Sequence, residues 1–209
     1  GSESELRSLI KTFKNNGIGT IADVVINHRK NVSNWVDFPV ETYKGVTYEM
    51  KSTDICANDD GGKTKEWADE NDYKLSSNND TGEDWSGMRD LDHSSENVQT
   101  IVKAYLDMLL NDFGYAGFRY DMVKGYSGKF TGIYNTAAKP TYSVGEYLDG
   151  DVSKVKNWLE STKVNEEITS AAFDFPIRYV VRDAINGKWS NVKTDGLAND
   201  PAYKQYAIT

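Results

Sequence analysis

Leu6, Leu9, Ile10 and Phe13 recur at intervals of three and four, the spacing that keeps apolar side chains on one face of a helix. Ser2 and Glu5 stand where a capping box would start that helix, and Gly17 where it would stop. Residues 18–26 then form an almost unbroken apolar run rich in Ile and Val, broken by Asp23, as a strand buried on both faces requires. A second helical stripe follows Ser94 or Ser95, made of Val98, Ile101, Val102, Tyr105, Leu106 and Leu109, and ends near Gly114. Strands are predicted at 116–121, 141–146 and 171–175, and a helix at 152–160. Strand and helix in alternation predict an α/β fold, a parallel sheet with helices outside it. No internal repeat or low-complexity linker interrupts the pattern.

The stretch 29–92 breaks this alternation and concentrates charge, with 15 Asp and Glu against 8 Lys and Arg. Runs such as Asn58-Asp59-Asp60-Gly61-Gly62 and Ser76-Ser77-Asn78-Asn79-Asp80 favour turns, because Gly, Asn and Asp tolerate unusual backbone angles. Most of these carboxylates read as a solvated, loop-rich excursion, and a metal-holding subset is the sharper alternative. The 209 residues carry a formal net charge of −8, and a pI near 4.9 argues against a nucleic-acid phosphate footprint, which needs a basic face. No apolar run approaches the ~20 residues that span a bilayer. Cys56 is the only cysteine, which excludes an intrachain disulfide and a Cys-based metal cluster.

Polar chemistry gathers at the strand ends. The first strand finishes Asp23-Val24-Val25-Ile26-Asn27-His28, the second Gly117-Phe118-Arg119-Tyr120-Asp121, the third Val144-Gly145-Glu146. In an α/β barrel the C-terminal strand ends converge on one mouth, where catalysis is placed. Arg119 and Asp121 are two residues apart and share one side of their strand. A guanidinium there holds the Asp121 carboxylate ionised, by charge and by donated hydrogen bonds. Glu146, behind the apolar Val144-Gly145, is a candidate for a raised pKa. One ionised and one protonated carboxyl across a sugar bond is what a retaining glycosidase needs. Singly, each signal also has an ordinary explanation: a structural ion pair, a strand-end acid, a partly buried histidine.

Asp-Val-Val-Ile-Asn-His (23–28), Gly-Phe-Arg-Tyr-Asp-Met-Val-Lys-Gly (117–125) and Gly-Glu-Tyr (145–147) resemble three signature segments of the α-amylase family (glycoside hydrolase family 13), in that family's order. Met88-Arg89-Asp90-Leu91-Asp92 resembles a fourth, and the strand around Phe173-Asp174-Phe175 suits the family's sixth. The resemblance covers essentially the whole chain. It implies a partial (β/α)8 TIM barrel, about strands 3 to 6 and the start of 7. Residues 1–28 and 93–209 would be parts of the catalytic barrel, and 29–92 an excursion domain between strand 3 and helix 3.

The resemblance also implies roles. Asp121 would be the nucleophile, Glu146 the general acid and then base, and Arg119 the group that keeps Asp121 ionised. His28 would bond the sugar at the cleavage subsite, Lys124 the sugar beyond the scissile bond, and Asp23 would be mainly structural. Asn27, Asp90 and the carbonyl of Gly125 match the family's calcium site, a donor set of hard oxygens that suits the ion. The 59–62 cluster lacks an EF-hand spacing and reads as a turn. The expected activity is endo-hydrolysis of α-1,4 bonds in starch-like glucans, by an enzyme that is secreted, periplasmic or at the cell surface.

Two departures accompany this match. No Asn-His-Asp segment supplies the family's third carboxylate, and strands one and two are missing, so the chain reads as an interior segment expected to be inactive alone. Residues 206–209 read as the opening of strand seven. The alternatives are an α-1,6-glucosidase or transglycosylase on the same barrel, or a non-catalytic glucan-binding or assembly relative. A carbohydrate-binding module using some of the five Trp is a further one.

Overall fold

The structure, a computed structural model, describes residues 1–190, 192 and 195–209. Helix α1 (Glu3–Asn15) starts on the expected capping box: Glu5 N donates to Ser2 Oγ at 3.3 Å, and Ser2 N donates to Glu5 Oε2 at 2.6 Å. Strand β1 (Ile21–Val24) follows, then the excursion with β2 (His28–Arg29), β3 (Glu41–Tyr43), β4 (Val46–Tyr48), α2 (Lys63–Glu70) and β5 (Arg89–Asp90). Beyond it come α3 (Glu96–Asp107), β6 (Gly117–Tyr120), α4 (Gly128–Ala138), β7 (Tyr142–Gly145), α5 (Val152–Ser161), β8 (Ala171–Phe173), α6 (Phe175–Ile185) and β9 (Ala207–Ile208).

Five strands form one sheet in the order β1-β6-β7-β8-β9, and every pairing is parallel. The order follows the chain with helices crossing between strands, as a partial (β/α) barrel requires. The excursion contributes two antiparallel pairs, β2 with β5 and β3 with β4. Val24, Phe118, Tyr120, Val144 and Ala172 on the strands are buried, as are Val98, Val102, Leu106, Tyr134, Val155 and Leu159 on the helices. Close approach explains two glycines: a Cβ on Gly117 would lie 2.0 Å from the Tyr142 carbonyl, and one on Gly145 would lie 2.2 Å from the Trp158 ring.

The strands are shorter than their apolar runs. The first pairs only from Ile21 to Val24, because its partner β6 is four residues long; Asn27 and His28 then turn into the excursion. The strand expected over 171–175 ends at Phe173. Asp174 instead caps α6, accepting from Ile177 N at 3.1 Å and Ala198 N at 2.8 Å, and Phe175 is already helical.

Candidate active site and acidic cluster

Parallel register sets the first site. Asp23 lies opposite Arg119 on β1 and β6, and the next residues of β6 and β7 continue the ladder: Asp121 N donates to Val24 O and Glu146 N to Tyr120 O, both at 2.9 Å. Three carboxylates therefore converge on one guanidinium. Arg119 Nη1 lies 2.7 Å from Asp23 Oδ1 and 2.6 Å from Asp121 Oδ1, and Nη2 lies 2.9 Å from Glu146 Oε2. Burial alone would lower the Arg119 pKa, but the hydrogen bonds to Asp23 and Asp121 and the charge of Glu146 more than offset it, so the group sits above its ordinary value. Glu146 thus shares a counter-charge with Asp121 rather than resting in the apolar setting its neighbours suggested. Its Oε2 also accepts from Met122 N at 3.3 Å, beside Asp121. Met122 holds a left-handed backbone conformation (φ 45°), a strained geometry that favours functional turns.

His28 stands at the edge of this group. Burial lowers its pKa below the ordinary histidine value, and the Asp121 charge opposes the shift. Lys124 stands apart on the rim, 2.9 Å from Glu83 and 3.3 Å from Asp149. Those contacts to carboxylates from the excursion and from the loop after β7 hold its ammonium in place.

The second site lies where the excursion meets the sheet. Asn27 Nδ2 donates to Asp90 Oδ1 at 3.1 Å, and a Cβ on Gly125 would lie 2.0 Å from Asn27 Oδ1, so these three residues are in contact. Two carboxylates join Asp90 that the sequence did not reveal, Asp59 and Asp84: one oxygen from each of the three lies within 4.8 Å of the others. Asp59 was expected to do no more than form a turn. It does lie in a turn, yet its buried side chain accepts from Asp90 N at 2.8 Å and pairs with Arg89 at 2.7 Å. No local signal marks Asp59 or Asp84, because they meet Asp90 only through long-range folding.

Burial pushes Asp90 up to about 8, with hydrogen bonding from Trp85 opposing and the charges of Asp80, Asp59 and Asp84 adding to the rise. Asp80 is raised to about 6, and Asp59 is raised as well, burial outweighing its pair with Arg89. Asp80 Oδ2 is buried without a hydrogen-bond partner. Crowded, desolvated carboxylates beside amide and carbonyl oxygens are the donor chemistry of a calcium ion, so the residues present fit that cation.

The family model "Alpha amylase, catalytic domain" matches residues 1–206. The probable α-amylase 2 of Arabidopsis thaliana is 27% identical over 205 residues, covering 90% of this chain and 45% of that protein. Among solved structures, an α-amylase from Malbranchea cinnamomea superposes with a TM-score of 0.56 at 20% identity, covering 88% of this chain and 35% of that one. A cyclomaltodextrin glucanotransferase gives 0.61 at 16% identity, covering 91% and 42%. The chain spans less than half the length of these proteins.

Proposed function

This chain belongs to the α-amylase family of glycoside hydrolases, and from that premise we propose that it carries the cleavage centre of a retaining enzyme hydrolysing α-1,4 bonds within starch-like glucans. The observation that carries the reading is the single guanidinium shared by Asp121 and Glu146 at the ends of adjacent parallel strands. Asp121, paired with Arg119, attacks the anomeric carbon while Glu146 gives its proton to the leaving glycosidic oxygen. The resulting glycosyl ester on Asp121 is opened by water, from which Glu146 takes a proton back. Glu146 must hold a proton for the first step. For that, its 2.9 Å pair with Arg119 has to give way when sugar binds, while Asp121 keeps its own pair with Arg119.

His28 donates to a hydroxyl of the sugar being cleaved, and Lys124 holds the sugar beyond the scissile bond. Asp23 completes the shell of Arg119 and takes no chemical step. Asn27, Asp90 and the Gly125 carbonyl, with Asp80, Asp59 and Asp84 from the excursion, would hold calcium. When bound, the ion supplies positive charge to buried carboxylates and ties the excursion to the sheet. The glucan is a polysaccharide or maltooligosaccharide, and the enzyme is exported. Among the described residues no helix is long and apolar enough to cross a membrane.

The test is product stereochemistry with two amide substitutions in the intact enzyme. Newly released ends should keep the α configuration, and Asp121→Asn or Glu146→Gln should each lower kcat by at least about a thousandfold with folding preserved. Inverted product would remove the double displacement. Products from linear and branched maltooligosaccharides separate α-1,4 hydrolysis from α-1,6 specificity and from transfer.

A further inference from the structure

Trp85 and His28 stack with ring centroids 4.1 Å apart and planes 29° from parallel. The indole also packs closely on Gly87: a Cβ there would lie 2.1 Å from the Trp85 ring. The indole is thus in contact with both a bare backbone and an imidazole. The backbone of Trp85 is also fixed, its N–H donating to Asp90 Oδ2 at 2.9 Å.

The other oxygen of Asp90 acts on His28 by a second route. Asp90 Oδ1 accepts from Asn27 Nδ2 at 3.1 Å, and the same amide nitrogen lies 3.3 Å from His28 Nδ1. With one amide hydrogen directed to Asp90 and the other to His28, Nδ1 is the accepting nitrogen of the imidazole and the ring proton belongs on Nε2. Asn27 thus fixes the imidazole within its plane, and Trp85 fixes it across its plane. Both are tethered to Asp90, one to each oxygen.

We propose that Trp85 is a positioning residue for His28, and that Asp90, through Trp85 and Asn27, holds the imidazole with its Nε2–H free to donate to the bound sugar. This inference rests on His28 being a substrate-binding group, as proposed above. It assigns a role to a tryptophan in the excursion whose chemistry no motif carries. It also gives the acidic cluster a mechanical link to the substrate that runs through two identified side chains. Aromatic stacking of this kind orients a ring without competing for its hydrogen bonds, and a donor misplaced by about 1 Å can cost two orders of magnitude in rate.

The test uses the intact, calcium-supplemented enzyme. Trp85→Ala should lower kcat/KM on maltooligosaccharides about thirtyfold, and Trp85→Phe should return it to within about threefold of the parent. Gly87→Ala should act in the same direction as Trp85→Ala. Its backbone lies outside the left-handed region, and the nearest atoms the added methyl would meet belong to the indole. The spectroscopic readout is the set of ring resonances of His28: one sharp set in the parent and in Trp85→Phe, broadened or doubled by ring motion in Trp85→Ala and Gly87→Ala. If Trp85→Ala does not fold, the other two variants carry the test. Parent-like kcat/KM in Trp85→Ala and Gly87→Ala, equal damage by Phe and Ala, or parent-like ring resonances in the Ala variants would each overturn the proposal. Full activity in Asp121→Asn would instead sink the reading of the active site, while the ring spectrum, which needs no turnover, still judges the role of Trp85.

Discussion

The strand-end site and the acidic cluster both gather carboxylates, and they resolve the resulting repulsion differently. At the strand ends Arg119 sits between Asp23, Asp121 and Glu146, with contacts of 2.6–2.9 Å. In the cluster, Asp59 has Arg89, but Asp80, Asp84 and Asp90 crowd together with raised pKa values at Asp80 and Asp90. The first group brings its own cation as a side chain; the second leaves a place for one from solution. In the proposed mechanism the nucleophilic carboxylate needs a counter-charge that does not block the substrate, and a side chain supplies it. A joint between two parts of the chain gains when a shared ion draws them together.

Metal removal separates the two most strongly. Chelation of the intact enzyme should destabilise the joint while leaving the Arg119 pairs in place. If the ion is present at about a hundredfold its Kd, losing it costs about 2.7 kcal/mol. Spread over an intact enzyme longer than this chain, that lowers Tm by roughly 5 °C. Calorimetry with chelator and with added calcium checks this, and Asp90→Asn should abolish the response. An unchanged Tm in both conditions would contradict the cation-site reading.

A second effect, smaller per pH unit than the loss of the ion, should appear with pH. The folded pKa of Asp90, about 8, lies above its ordinary value of 3.8. Between those values the folded chain binds a proton that the unfolded chain has released, so stability falls as pH rises. The slope for one such proton is about 1.4 kcal/mol per pH unit, present in the chelated protein and removed by calcium. Denaturant titrations from pH 5 to 8, with and without calcium, read it directly. A chelated protein that gains stability over that range would break the contrast between the sites.

The two sites also differed in how far the sequence could reveal them. Arg119 and Asp121 share a strand face because they are two residues apart, and parallel register then brings Asp23 and Glu146 alongside. Short-range periodicity was enough to place Arg119, Asp121 and Glu146 at strand ends of a parallel sheet, whereas Asp23 showed only as a break in an apolar run. Asn27, Asp90 and Gly125 were named only through family resemblance, and they do meet. Asp59, Asp84 and Trp85 went unrecognised because turns and long-range packing bring them in, and neither leaves a periodic trace. The strand ends were overextended for a related reason. An apolar run such as 18–26 reports burial, whereas strand length is set by the partner, four residues of β6. Asp174 reads as part of a strand until the helix it caps is seen.

The central claim is that Asp121 becomes covalently bound to sugar, and trapping that intermediate tests it most directly. The intact enzyme carrying Glu146→Gln is incubated with an activated fluoro-glucosyl substrate, which forms the ester quickly and releases it slowly. It is then digested and analysed by mass spectrometry. The account predicts one added glycosyl mass on the peptide containing residues 117–125, localised to Asp121, and absent when Asp121→Asn is introduced as well. No adduct under turnover conditions, or an adduct on a different carboxylate, would contradict it.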